Sequence, residues 1–589
     1  MGKNDLSWKN FWPYVGGLLL CIVILFQIMR LSDADLSVPF GYLQNGDQFL
    51  NYFFFKHVLE NGWSFHNPSV GMPFGLDLQD LPFVEAFHFF MIKLMSLWGL
   101  DFARAINHYF LLTFPLVFLA SLFVLRQFHI SWLPAFVGSL LYTFLPYHFW
   151  KGDSHIFQTA YFFVPLIVMV ILWIYLGEVK MARRKEDSTK GDKSSFYKLT
   201  FSILICFLSA IEGFYYSFFG AFLILVAGIL GAFYRKAKEA LLTAVLLVGV
   251  IMMGLLMNYF PTIKYVYDHG KNPIASVRTP NESEMYGLKI AQLLLPITGH
   301  RWEPFSKLKE TYNRSAPLVN ENDWSSLGIV GGLGFLFLIV LLFVRSSNFI
   351  FGNILKGLSF LTISALLFGT LGGFGSLFSY IISPQIRSFT RISIFIAFFA
   401  LFAIALLLEA FRERTKTNSK WQFLFYGLCL FVLGFGLWDQ TSPRFVPPYE
   451  KNAETYQSDV HFMKTIESHV PENSMIFQLP YMVFPEPEAL FLNRMLIYHP
   501  FRGYLHSERL RWTYGSMKGR EGDRWQRATS AKSIPELLQD LRDVGFKGIY
   551  VDRFGYPDSG KGIESQLFEI LGSGPLVSED QRLVLFLIN

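Results

Sequence analysis

Gly41–Trp63, GYLQNGDQFLNYFFFKHVLENGW, follows the first apolar run of the chain and places one acid, Asp47, behind a turn-forming Asn45-Gly46 pair. Leu50, Phe53, Phe54 and Val58 recur at helical spacing, which predicts a helix lying flat at a membrane interface and beginning at the acid. A carboxylate is thereby expected at the boundary of water and lipid. The rest of the chain fits that setting: of 589 residues, 52% are hydrophobic, 18% aromatic and only 16% charged, with 64 Phe. So little charge excludes an ordinary soluble domain and indicates a polytopic α-helical membrane protein.

The net charge of +6 does not point to nucleic acid, because the basic residues are scattered between apolar runs instead of forming one patch. Cys21, Cys206 and Cys429 each fall inside an apolar run and lack metal-ligand or CxxC spacing, so neither a disulfide nor a cysteine-bound metal is expected. The N-terminal segment is basic, then apolar for a full bilayer width, and reads as an uncleaved first span.

About eleven spans are predicted: Phe11–Met29, Ala103–Leu125, Leu133–Tyr147, Tyr161–Leu176, Leu199–Ile211, Phe218–Phe233, Leu241–Phe260, Leu327–Val344, Leu358–Phe374, Ile392–Glu409 and Phe423–Trp438. The stretch Phe83–Leu100 carries Glu85, His88 and Lys93 and reads as an interfacial helix. With the N-terminus inside, the dense basic clusters at Arg126, Lys180–Lys198, Arg235–Lys238, Arg345 with Lys356, and Arg412–Lys420 all fall on the cytoplasmic side, as the positive-inside rule requires. Loops 30–102, 148–160, 261–326 and 375–391 are then outside, with everything after Trp438.

Two units are expected, a transmembrane domain over 1–438 and an extracytoplasmic α/β domain over 439–589. Pro443, Pro447 and Pro448 stiffen the exit from the last span. Beyond them, Met475–Leu479, Gly548–Val551 and Leu583–Ile588 read as short buried strands, and Val460–His469 and Ser533–Val544 as amphipathic helices. No glycine-rich phosphate loop is present there.

The outer segments hold the residues able to carry chemistry. Asp47 is placed to act as a base on a hydroxyl acceptor, a poor nucleophile at neutral pH; equally, Asp is a favoured cap for the helix it begins. Asp77 and Asp80, in GLDLQDLPF, offer a second carboxylate or oxygen ligands for a divalent cation, and turn chemistry beside Gly75 and Pro82 accounts for them as well. Whether a metal takes part is open. Arg387 and Arg391, one helical turn apart in SPQIRSFTRIS, and Arg278 and Arg301 in loop 261–326, suit a phosphate group. Lys151 and His155, in WKGDSHIFQ, are accessory candidates, with Lys151 read mainly as an exposed charge near lipid headgroups.

These pieces together resemble the GT-C superfamily of integral membrane glycosyltransferases, and among them the bacterial YfhO-like proteins. The resemblance rests on GDQFLNYFFFKHVLENGW, PYHFWKGDSHIFQ, RTPNESEMYGLKIAQLLLPITGHR, ENDWSSLG, RSFTRIS and GFKGIYVDRFGY. It implies a polyprenyl-phosphate sugar donor, a glycan, lipid or protein acceptor in the cell envelope, and reaction at the outer face of the bacterial cytoplasmic membrane. It also puts Asp47 at the catalytic base position, with Arg278, Arg301, Arg387 and Arg391 as donor-phosphate ligands. The family often shows two acids at this site; here Gln48 follows Asp47, so a second carboxylate would come from Asp77 or Asp80. A transporter or flippase of a lipid-linked glycan, and a non-catalytic envelope scaffold, are the alternatives.

Overall fold

An apolar run inside a bilayer finds no water for its backbone, so it closes its hydrogen bonds within a helix. The computed structural model describes residues 8–44, 46–81, 85–179, 190–237, 239–344, 350–487 and 489–588. Among the described residues, nine helical stretches are long and apolar enough to cross a membrane: Phe11–Met29, Phe102–Gln127, Asp153–Leu176, Ser195–Glu212, Phe214–Tyr234, Glu239–His269, Gly352–Gly369, Phe389–Thr415 and Ser419–Gln440. The remaining two predicted spans are helical only over Trp132–Thr143, 12 residues, and Gly328–Val340, 13 residues. Both are shorter than a straight crossing needs. Residues 180–189, 238 and 345–349, which hold several of the basic residues used for the topology, lie outside the described residues.

The first short helix stops because Pro146 disfavours helical geometry at Leu145, and the chain restarts as Pro146–Lys151. That break carries Lys151 toward the site described below. Close approach of helices depends on small residues. At Gly334, for example, an added Cβ would lie 2.4 Å from the Ala400 carbonyl oxygen on Phe389–Thr415.

After Gln440 the chain forms the helix Tyr449–His469 and a five-stranded sheet. Its strand order is Arg511–Trp512, Met475–Leu479, Phe546–Asp552, Leu583–Leu587, Leu576–Val577. The first three strands run parallel and the last two join antiparallel. The predicted strands and the helix Ile534–Val544 are all present. Alternation along the strands divides the sheet between two cores. Phe477, Leu479, Ile549, Val551, Val584 and Phe586 close a small core with Leu537, Leu538 and Leu541. Ile476, Tyr550, Leu583 and Leu585 point the other way and join the large core of the chain.

The helix expected to lie at the interface forms over Asp47–Asn61, but lipid is not what covers it. Gln48, Phe49, Asn51, Tyr52, Phe55, Lys56 and His57 are all buried, and Glu60, near the helix end, is the exposed polar side chain. The C-terminal segment covers it: the rings of Phe53 and Phe501 stack 4.5 Å apart, and Lys56 donates to the carbonyls of Leu505 (3.2 Å) and Ser507 (2.9 Å). Fully buried Arg502 pairs with Asp459 and lies 4.9 Å over Tyr42 and 4.7 Å over Phe49. A phenylalanine-rich face suits lipid and an aromatic core alike, and here the protein supplies the core. The stretch Ala86–Met95 is helical as expected, and the turn after it exposes Leu97 and Trp98.

Candidate active site

Asp47 is the first residue of its helix, and Gly46 is the cap. Gly46 has φ 103°, and its N–H donates to Gln48 Oε1 at 2.9 Å, so Gln48 reaches back to satisfy the helix start. Capping therefore does not account for Asp47: no described residue donates a hydrogen bond to its carboxylate. Burial raises its pKa to about 6, against the pull of Arg387 and Lys151 and with the push of Glu486 and Glu321. A carboxylate this basic and this free suits proton abstraction near neutral pH.

Lys151 is not an exposed headgroup contact. It has no solvent exposure, donates to Glu321 Oε2 at 2.5 Å and lies 4.8 Å from the Trp324 ring. Burial lowers its pKa to about 8, with Glu321 opposing the shift. Arg391 reaches the same Glu321 oxygen from 3.4 Å, lies 4.0 Å over the Tyr215 ring and keeps its buried Nε without a partner among the described residues. Burial works to raise the Glu321 carboxyl, but Arg391 and Lys151 overcome it and hold its pKa far below the usual range.

Arg387 donates to Glu282 at 2.9 Å and stands 5.3 Å from the Tyr286 ring. Arg278 grips Glu486 with both terminal nitrogens, one of them at 3.0 Å. His155 is within the field of Lys151, Glu321, Arg391 and Arg387, and its Nδ1 is buried without a partner among the described residues. Loops 30–102, 148–160, 261–326 and 375–391 thus meet in one place, joined by Glu486 from the C-terminal segment.

Other candidates are elsewhere. Arg301 is exposed and donates to Thr441 Oγ1 at 3.1 Å, beside the end of the last span. Asp80 is held by Arg520 Nε at 2.6 Å and Nη2 at 2.8 Å, with Asn272 donating at 3.0 Å. His66 Nδ1 lies 2.8 Å from an Asp77 oxygen, and Tyr265 donates to the other at 3.4 Å. These two acids tie the first long loop to the helix Glu239–His269 and to the C-terminal segment, so ion pairing and packing claim them. The charges acting most strongly on Asp47 come from Arg387, Glu486, Lys151 and Glu321. Among the described residues, no three His, Cys, Asp or Glu side chains gather closely enough to hold a metal ion.

Glu321, Glu282 and Glu486 were not foreseen as site residues. Each is a glutamate in a connecting segment between the long helices or strands, paired with a cation 70 to 208 positions away. The available signal was charge balance, since cations gathered at a buried site need counter-charges.

No family model matches the chain, and no curated protein matches it. Solved structures do. ArnT from Cupriavidus metallidurans bound to undecaprenyl phosphate aligns over 99% of this chain and 99% of its own, at 9% identity and TM-score 0.48. The archaeal oligosaccharyltransferase AglB from Archaeoglobus fulgidus, in complex with an inhibitory peptide and a dolichol-phosphate, aligns over 93% of this chain and 70% of its own, at 12% identity and TM-score 0.44. The arabinofuranosyltransferase AftD from Mycobacteria aligns over 99% of this chain and 40% of its own, at 12% identity and TM-score 0.48. Likenesses this loose do not by themselves assign a reaction.

Proposed function

We propose that this chain is a GT-C-type membrane glycosyltransferase, moving a sugar from a polyprenyl-phosphate donor to a cell-envelope acceptor. The observation that carries this reading is the pairing of one free, basic carboxylate, Asp47, with the fields of Arg387 and Lys151. Asp47 accepts the proton of the acceptor hydroxyl as its oxygen forms a bond to the anomeric carbon. The bond from that carbon to the phosphate oxygen breaks on the opposite side, with inversion, and the electron pair leaves on the phosphate.

Arg391, Arg387 and Lys151 neutralise the departing phosphate in a site with little water, where charge is worth most. Glu321 and Glu282 hold these cations in position beforehand. Arg278 stands at the rim through Glu486, and His155 is a further donor to the phosphate. The positive-inside count supports reaction at the outer face of a bacterial cytoplasmic membrane, with 1–438 spanning it and 439–589 outside.

The test is turnover of lipid-linked sugar in membranes containing Asp47→Asn at normal protein level. Loss of transfer is expected; full transfer would show that Asp47 is not the base.

A further inference from the structure

A second charged pocket lies in the C-terminal segment. The parallel strands Met475–Leu479 and Phe546–Asp552 finish side by side, and in open α/β sheets ligands gather in the crevice beyond the carboxyl ends of such strands. The chain turns there through Arg553–Gly555, packed so tightly that a Cβ on Gly555 would meet Pro480 Cγ at 2.4 Å. Beside this turn is a cavity of about 370 Å³, lined by Arg494, Arg553, Phe554, Ser559, Lys561 and Glu564.

The charges in its wall do not cancel. Glu564 is taken by Arg553, whose Nε and Nη2 donate to it at 2.7 and 2.8 Å. Among the described residues, Arg494 bonds through its side chain only to the neutral Ser559 Oγ, at 2.9 Å, and lies 4.3 Å over Phe554. Lys561 has no ion pair among the described residues. Nearby Asp558 accepts from the backbone N–H groups of Gly560 (2.9 Å) and Gly562 (2.8 Å) at the start of the helix Lys561–Leu571 and stands in the field of Lys561, leaving Arg494 as the cation with no acid beside it among the described residues. Arg494 is also set in place: its N–H donates to the Phe554 carbonyl at 2.9 Å, and Asn493 Nδ2 donates to the Gly555 carbonyl at 2.7 Å.

We infer that this pocket is a phosphate-binding site, separate from the Asp47 site, with Arg494 and Lys561 as its two ligating cations. Arg494 and Lys561, neither in a salt bridge among the described residues, face one small cavity, and a phosphate offers a separate oxygen to each where a carboxylate offers less charge. The inference stands independently of the proposed reaction.

Phenylglyoxal labelling of Arg494 in the full-length, detergent-purified protein tests it, read by peptide mass spectrometry at constant ionic strength with exposed Arg509 as reference. Inorganic phosphate is expected to protect Arg494 saturably and to leave Arg509 labelled. Lys561→Gln is expected to raise the half-protecting concentration by about tenfold, and glucuronate to protect at least about tenfold more weakly than phosphate. Equal labelling of Arg494 with and without phosphate overturns the site. Protection unmoved by Lys561→Gln removes the second ligand, and equal protection by glucuronate overturns the phosphate assignment.

Discussion

Lys151 donates to Glu321 across 2.5 Å from a position with no solvent exposure, and Arg391 shares the same carboxylate oxygen. One acid therefore balances two buried cations. Glu321→Gln would leave both uncompensated, at an expected cost of about 3–5 kcal/mol, visible as a lowered unfolding temperature in detergent. The folded-state pKa of Glu321 is depressed, so its contribution is present above the ordinary glutamate range and lost as pH falls toward the lower folded value. The variant should accordingly lose this part of the acid dependence.

Asp47→Asn separates chemistry from stability. Transfer is expected to fall by about 10²- to 10⁴-fold, the usual worth of a positioned general base. Stability should move the other way. Because the Asp47 pKa is raised to about 6, its contribution is greatest at low pH and is lost as pH rises through that value. At neutral pH the amide should be at least as stable as the acid, which thermal unfolding at matched protein level would check.

The pH profile of transfer should be bell-shaped. Activity rises as Asp47 ionises near about 6 and falls as Lys151 loses its proton near about 8. Lys151→Arg keeps the charge at high pH and should carry the alkaline limb upward without moving the acid limb. An alkaline limb unchanged in that variant would remove Lys151 from the profile.

Gly46→Ala tests how Asp47 is seated. Gly46 has φ 103°, and an added Cβ would lie 2.7 Å from the Ile497 carbonyl oxygen. Backbone strain and the clash together should cost about 1–3 kcal/mol. Moving the helix start should also lower kcat more than it changes KM for the donor.

Asp80→Asn weakens a clamp and leaves the site charges in place. The Asp80 carboxylate is almost fully buried and bound by Arg520 and Asn272. Losing its charge should lower the unfolding temperature, while the acid limb of the pH profile stays near about 6, the value set at Asp47.

Much of this was legible in the sequence because it depends on local patterns. Long apolar runs specify spans wherever they occur, and the strand at 583–587 announced itself by five consecutive apolar residues. Asp47 was visible because a turn and a helix start isolate it. What covers its helix was not, since Phe53 packs as readily on lipid as on Phe501. Nor were the counter-charges legible: Glu321 finds Lys151 only after some 170 residues have folded back between them. Nor were the partners of Asp77 and Asp80 legible: close in sequence to Asp47, they pair with His66 and Arg520.

The two faces of the C-terminal sheet answer to different interiors, and this limits how the chain can be dissected. One side, with Phe477, Val551 and Phe586, is closed by the segment's own helices. The other, with Ile476, Tyr550 and Leu585, merges with the large core: Tyr550 meets Phe462 and Trp512 of the same segment, and beyond them Phe501 and Tyr504 pack on Phe53. Excised as a secreted fragment, residues 439–589 would carry the bare rings of Phe501 and Tyr504 into water and self-associate. A soluble version would require rewriting that aromatic patch and leaving the sheet alone.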